Sequence, residues 1–218
     1  MTPVPIPSLQ ALKEAVDQAD SAESLLRATA ALAATAAPEA ADTLVDVLRY
    51  NNPGAAVAAV EGLIAIGSSA VPALLDLDAS NYGARAWAVR ALAGIGAVEG
   101  LNVLEEALAT DVGPSVRRAA ARGLGQLKLE TLAADACVLT CERCLGALEA
   151  GAGDGEWVVR YAVVVGLEAL AQTAAVPAVR EPAMQDRIRS CLSALADADQ
   201  EDTPVVRLRA GQALARLF

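Results

Sequence analysis

Apolar residues recur along the chain at helical spacing, and they do so in register from one segment to the next. The segments AAVAAVEGLIAIG (55–67), ARAWAVRALAGIG (84–96), VRRAAARGLGQL (116–127), VVRYAVVVGLEAL (158–170) and VVRLRAGQALARL (205–217) align on Leu63, Leu92, Leu124, Leu167 and Leu214. Three residues after each leucine stands Ile66, Ile95, Leu127, Leu170 or Leu217, and four before it Ala59, Ala88, Ala120, Val163 or Ala210. Offsets of three and four trace one face of an α-helix. Immediately before each leucine the residue is small (Gly62, Ala91, Gly123, Gly166, Ala213), which lets a neighbouring helix come close. Seven before it, Arg85, Arg117, Arg160 and Arg207 form a column that Ala56 alone breaks. SLLRATAALAAT (24–35) fits weakly on Leu32, as an atypical first repeat should.

The leucines from Leu32 onward stand 31, 29, 32, 43 and 47 residues apart, the spacing of two-helix repeats with the later ones lengthened. Second helices are expected at 38–50, 71–77, 98–108, 129–149 and 182–196. Gly67 and Gly96 stand where a left-handed residue ends a helix, and Pro38, Pro114 and Pro204 near first-turn positions. Thr203 before Pro204 reads as an N-cap. With no period-2 strand of useful length, the pattern predicts an all-α fold: a right-handed α-solenoid of HEAT-like helical hairpins, with five to six repeats in a single domain. Residues 1–20 supply an N-terminal arm and capping helix, and 21–218 the repeats.

Composition agrees with that picture and narrows the function. Hydrophobic residues make up 55% of the chain and aromatics 3%, so the core is alanine, leucine and valine, a mix that favours closely packed helices. The net charge of −10 opposes attraction to nucleic acid or anionic lipid. Mean hydropathy is +0.38, yet no run of 18 uninterrupted apolar residues argues for membrane insertion. MTPVPIPSLQ lacks the basic and apolar regions of a signal peptide and reads as an extended, proline-bearing arm. A cytoplasmic location with free thiols is expected. Histidine is absent, which excludes Ser-His and Cys-His pairs and every His-containing metal site, and leaves carboxylates, Cys, Tyr, Lys and Arg for proton transfer.

One repeat is more distinctive than the rest. DLDASNYGARAWAVRALAGIG (76–96), continued by SVRRAAARGLGQL (115–127) and WVVRYAVVVGLEAL (157–170), resembles the E/F-type phycobilin lyases, HEAT-like proteins of cyanobacteria and red algae, and specifically the shorter F subunits. The resemblance covers most of the chain. It implies a heterodimer with an E-type lyase subunit that attaches phycocyanobilin to a cysteine of the phycocyanin α subunit through a thioether, near phycobilisomes, with the bilin as substrate and no permanently bound cofactor. Some relatives also isomerise the bilin with a His-Cys motif near this segment. Here Asn81, Tyr82 and Gly83 stand in that region, so attachment or its reverse is favoured.

A bilin carries propionates and pyrrolic nitrogens, so its site should offer guanidinium groups to the first and a carboxylate to the second. On the resemblance, the catalytic candidates are Asp76, Asp78 and Tyr82: either aspartate to hold the pyrrole N–H groups and donate a proton. The bilin-binding candidates are Asn81, Tyr82, Arg85, Trp87, Arg90 and Arg117, with Arg85 or Arg90 on a propionate and Tyr82 or Trp87 stacked on the tetrapyrrole. A structural reading competes: the arginine column would form a ladder to loop carboxylates of adjacent repeats, and Trp87 and Trp157 would pack or line a subunit interface. Functional alternatives are a HEAT-repeat scaffold acting on phycobilisomes without catalysis, and a generic adaptor.

CVLTCERC (137–144) matches the C-x3-C-x2-C spacing of an iron–sulfur site. The repeat pattern puts it inside a second-layer helix. Lys128, Asp135, Glu142 and Glu149 recur every seven residues and mark the wet face, which turns Cys137 and Cys144 inward and leaves Cys141 nearer the edge. Small apolar packing is therefore expected, and no metal site. GAGDGE (151–156) has the glycine density of a phosphate loop but no preceding strand and no following Lys-Ser/Thr, so it reads as an inter-repeat linker. DADQED (197–202) reads as a solvated loop.

Overall fold

The computed structural model describes residues 7–78, 80–173 and 181–218; residues 1–6 of the proline-bearing arm lie outside them, and its last two, Leu9 and Gln10, begin the first helix instead of extending. Among the described residues the chain is helical, with no strand. Contacts divide it into two compact units, Met1–Ile95 and Gly96–Phe218. The first holds α1 (Leu9–Asp17), α2 (Ala22–Ala33), α3 (Ala41–Val47), α4 (Pro53–Ile66), α5 (Val71–Leu75) and α6 (Tyr82–Ile95). The second holds α7 (Leu101–Thr110), α8 (Pro114–Leu124), α9 (Ala134–Gly151), α10 (Trp157–Gln172), α11 (Pro182–Ala196) and α12 (Pro204–Leu217).

In each unit the helices carrying the aligned leucines stack on one another: α2, α4 and α6 in the first, α8, α10 and α12 in the second. The alternate helices form a second layer. The anchors Leu32, Leu63, Leu92, Leu124 and Leu167 are buried, whereas Leu214 in the last helix is half-buried. Small residues set the spacing between helices of one layer. A Cβ on Gly62 would lie 2.6 Å from the Ala33 Cβ of α2, and one on Gly166 would lie 2.4 Å from the Ala121 oxygen of α8. Gly67 and Gly96 end α4 and α6 at φ 77° and 69°, the left-handed conformation that glycine adopts without cost.

Two local expectations need correction. The segment expected as one helix over 129–149 begins with a 3-10 turn at Leu129–Thr131; Leu132 and Ala133 are extended, and α9 starts at Ala134. Pro204 takes the first position of α12, but the Thr203 side chain makes no cap hydrogen bond. Its hydroxyl accepts from Arg160 and donates to Asp202. The stretch Pro53–Leu75 is long and apolar enough, by length and composition, to cross a bilayer. The chain breaks it at Gly67 into α4 and α5, which pack against α2, α3 and α6.

Cys141, placed nearer the edge by the sequence pattern, is as buried as its neighbours: Cys137, Cys141 and Cys144 are all in the core of the second unit. Burial pushes the Cys141 and Cys144 thiols up to about 12, and the half-buried Cys191 thiol to about 11. All four cysteines are free. Among the described residues no group of three or more His, Cys, Asp or Glu is placed to hold a metal ion. At pH 8 a disulfide reagent is expected to leave Cys141 and Cys144 unmodified in the folded chain and to reach all four thiols in guanidinium. Fast native-state modification of Cys141 or Cys144, mapped by mass spectrometry, would contradict this burial.

Candidate functional site

The asparagine of NYGAR begins the site, because it begins the helix. Asn81 Oδ1 accepts the Ala84 N–H at 3.1 Å, satisfying one of the amides that an N-terminus leaves without an intrahelical partner. Asn52 does the same for α4: its Oδ1 accepts the Ala55 N–H at 3.1 Å, and its Nδ2 donates to the Ala22 carbonyl at 2.9 Å. NPGA (52–55) and NYGA (81–84) are thus two copies of one helix start. Side by side in the first unit, they border a cleft of about 220 Å³ lined by Leu48, Arg49, Tyr50, Asn51, Asn52, Pro53, Asn81, Gly83, Ala84 and Trp87.

Trp87 is partly buried, and the Arg90 guanidinium lies over its ring at 4.5 Å from the centroid, a cation–π arrangement. Asn81 and Trp87 line the cleft, and Arg90 meets it only through the Trp87 ring. Tyr82 and Arg85 are on the same helix but outside the cleft lining, Tyr82 half exposed at the first helical position and Arg85 partly buried. Asp76 ends α5 and is exposed. Asp78 is exposed too, and its carboxylate accepts the Ser80 N–H at 2.9 Å and the Ser80 hydroxyl at 2.8 Å. Those bonds, backbone first, with a smaller contribution from Arg49, hold the Asp78 carboxyl below its ordinary range. An acid held ionised is a poor proton donor, so the geometry favours Asp78 as an acceptor.

Arg117 belongs to the second unit and has a full set of partners there. Its Nε and Nη2 grip both Asp154 oxygens at 2.7 and 2.9 Å, and Nη1 donates to the Asp111 carbonyl at 2.8 Å. Burial pushes Asp154 up, but the Arg117 hydrogen bond and the Glu156 N–H outweigh it and the carboxyl is held low. One repeat later the same set recurs. Arg160 grips Glu201 at 2.6 and 2.7 Å and donates to the Asp154 carbonyl at 2.8 Å. Arg207 donates to the Glu201 carbonyl at 2.7 Å. This is the ladder that the structural reading of the arginine column describes, and Arg117 is one of its rungs. GAGDGE and DADQED supply its carboxylates, Asp154 and Glu201.

The sequence reading missed several residues. Arg49, Tyr50, Asn51 and Asn52 lie in a short inter-helix loop that carries no periodic signal; the match between NPGA and NYGA was the available clue. It also missed the outer-layer bridges, where Arg143 of α9 pairs with Glu105 and Asn102 of α7 and Arg187 of α11 with Glu142 and Glu149 of α9. In the stacked layer, buried Glu168 of α10 pairs with Arg209 and Arg216 of α12.

Comparison with known proteins places these features in a family. HEAT repeats match residues 71–139. The chain is 52% identical to the phycocyanin alpha phycocyanobilin lyase CpcF of Synechocystis sp. over 77% of this chain and 79% of that protein. It is 46% identical to a phycobilisome maturation protein of Synechococcus elongatus over 93% of this chain and 92% of the relative. The solved complex of CpcE and CpcF of phycocyanin lyase from Nostoc sp. contains a chain 40% identical to this one, superposing with a TM-score of 0.70 over 80% of this chain and 98% of that one.

Proposed function

The chain belongs to the family of CpcF-type phycocyanobilin lyase subunits, and from that premise we propose that it is one half of a two-chain lyase. With an E-type partner it attaches phycocyanobilin to a cysteine of the phycocyanin α subunit, in the cytosol, and can run the reaction backward. The observation that carries this reading is the 40% identity, over 98% of its length, to a chain solved in complex with CpcE.

The chemistry is addition of a thiol across the exocyclic ethylidene double bond of the bilin. The acceptor sulfur bonds to the exocyclic carbon, the ring carbon at the other end of the double bond takes the proton, and reversal breaks the C–S bond and returns the proton. The nucleophile comes from the acceptor. Within this chain, Cys141, Cys144 and Cys191 stand at about 12, 12 and 11, so almost none of each is thiolate at neutral pH. The contribution left to the chain is to hold the tetrapyrrole in one reactive geometry. A cleft of about 220 Å³ is below the roughly 300–1,000 Å³ that encloses a drug-sized ligand, so this unit holds an end of the bilin and the partner covers the rest. In the proposed site Asp78 accepts from pyrrole N–H groups, Trp87 contacts the ring system, and Tyr82 and Arg85 face the reacting portion.

The test is co-expression of this chain with its E-type partner, phycocyanobilin and apo-phycocyanin α, followed by zinc fluorescence of the denatured acceptor. Covalent bilin is expected only with both subunits present. No covalent bilin from two soluble subunits would end the lyase reading, and undiminished attachment by Tyr82→Ala, Asp78→Ala and Arg85→Ala would end this assignment of the site.

A further inference from the structure

The cleft between the two helix starts contains a residue whose chemistry the family likeness does not use. Arg49 precedes Tyr50, Asn51 and Asn52 on one wall, with Asn81 and Trp87 on the other. Its guanidinium has a loose local partner: Nε lies 3.4 Å from Asp46 three residues back, and both side chains are about half exposed. An exposed pair of that kind holds its members weakly. The nearby carboxylate, Asp78, is turned onto Ser80 and accepts both of its hydrogen bonds there. The guanidinium therefore stands at the rim of a concave polar and aromatic site with neither carboxylate gripping it bidentately. Tyr50, half exposed, adds a phenol beside it, and Trp87 adds a ring against which the Arg90 guanidinium lies.

We propose that this cleft is a subsite for a carboxylate-bearing arm of a flat conjugated ligand, in which Arg49 pairs with the carboxylate, Tyr50 donates to it, and Trp87 contacts the ring from which the arm extends. The proposal rests on the lyase reading and deepens it: the arm is a propionate of the bilin, and Arg49, rather than Arg85 or Arg90, is its partner. Planar guanidinium forks match carboxylates bidentately. The small volume fits one ring and its acid arm, which sets the end of an elongated tetrapyrrole and so the register of the remainder.

The experiment compares phycocyanobilin with its dimethyl ester, whose propionates are blocked, using the complex of this chain with its E-type partner. Binding is read from the induced circular dichroism of the bilin, and attachment to apo-phycocyanin α is read in parallel. The unsubstituted complex is expected to bind the acid about tenfold more tightly than the ester, Arg49→Gln to lose most of that preference, and Arg49→Lys to recover part of it. Arg49→Gln should melt with the parent chain, because its one ion pair is exposed. Retention of the acid preference in Arg49→Gln, or its absence in the parent complex, would overturn the subsite even if attachment proceeds normally. Loss of the preference in Arg49→Gln by a parent complex that binds but never attaches bilin would leave the subsite standing and remove the lyase reading.

Discussion

Replacing Arg160 with methionine is expected to lower stability by about 3–5 kcal/mol at pH 7, read as a fall in the urea midpoint. Glu201 is 3% exposed, and Arg160 grips both of its oxygens. Without the guanidinium the carboxylate stays buried without its counter-charge, which is the costly way to break such a pair. Arg207→Met is the control. That side chain donates to the Glu201 carbonyl, so its loss strands no buried charge and should cost about 1 kcal/mol.

The same rung predicts a pH dependence. Arg160, with the Thr203 N–H, holds the Glu201 carboxyl at about 2, against 4.5 for the ordinary group. The folded-state value is depressed, so the stabilisation is present in full above the unfolded value. It is lost as pH falls from about 4.5 toward 2, and amounts to about 3 kcal/mol. Urea midpoints of the parent chain should fall across that window, and those of Glu201→Gln should fall less. If the two chains show the same acid slope, the stabilisation lies elsewhere.

Gly166→Ala is the second substitution with a large expected effect. Its Cβ would stand 2.4 Å from the Ala121 oxygen and 2.9 Å from Leu148 Cδ2, and the first of these is backbone that moves only if α8 moves. Over-packing of this kind costs about 1–3 kcal/mol, and the upper half of that range is expected here. Gly146→Ala in α9 gives the opposite sign: nothing lies within 4 Å of its added Cβ, so the helix should gain about 0.5–1 kcal/mol. Thermal melting of both variants separates close packing from glycine content, and a stabilised Gly166→Ala would show that α8 and α10 have room between them.

The fold was legible because its signal is repeated. The offsets around Leu63, Leu92, Leu124 and Leu167 return the same buried face each time, and Gly67 and Gly96 announce their stops through a conformation that other residues avoid. What escaped had one instance or no period. The start of α9 was lost because Leu129–Thr131 supplies apolar residues without continuing the helix. Thr203 looked like a cap, but a guanidinium from the preceding repeat took its hydroxyl. Cys141 was assigned to an edge by counting around an isolated helix, whereas helices on more than one side bury it.

The candidate site was half legible. NYGAR located one wall, yet Asn81 is conspicuous partly because it caps α6, as Asn52 caps α4. The opposite wall is a five-residue loop whose meaning appears only when the two helix starts lie side by side. Arg117 could be read as ligand-binding or as structural from sequence, and only its distances to Asp154 and the Asp111 carbonyl separate the two.

Each of these acidic loop residues faces two ways. Asp154 gives its carboxylate to Arg117 of the repeat before and its carbonyl to Arg160 of its own, and Glu201 gives its carboxylate to Arg160 and its carbonyl to Arg207. The sequence is therefore divisible into repeats where the folded chain is not. A cut between α10 and α11 would leave Arg160 without Glu201 and buried Glu168 without Arg209 and Arg216. Each rung therefore spans two repeats, and a change in one acidic loop is felt by the arginines on both sides of it.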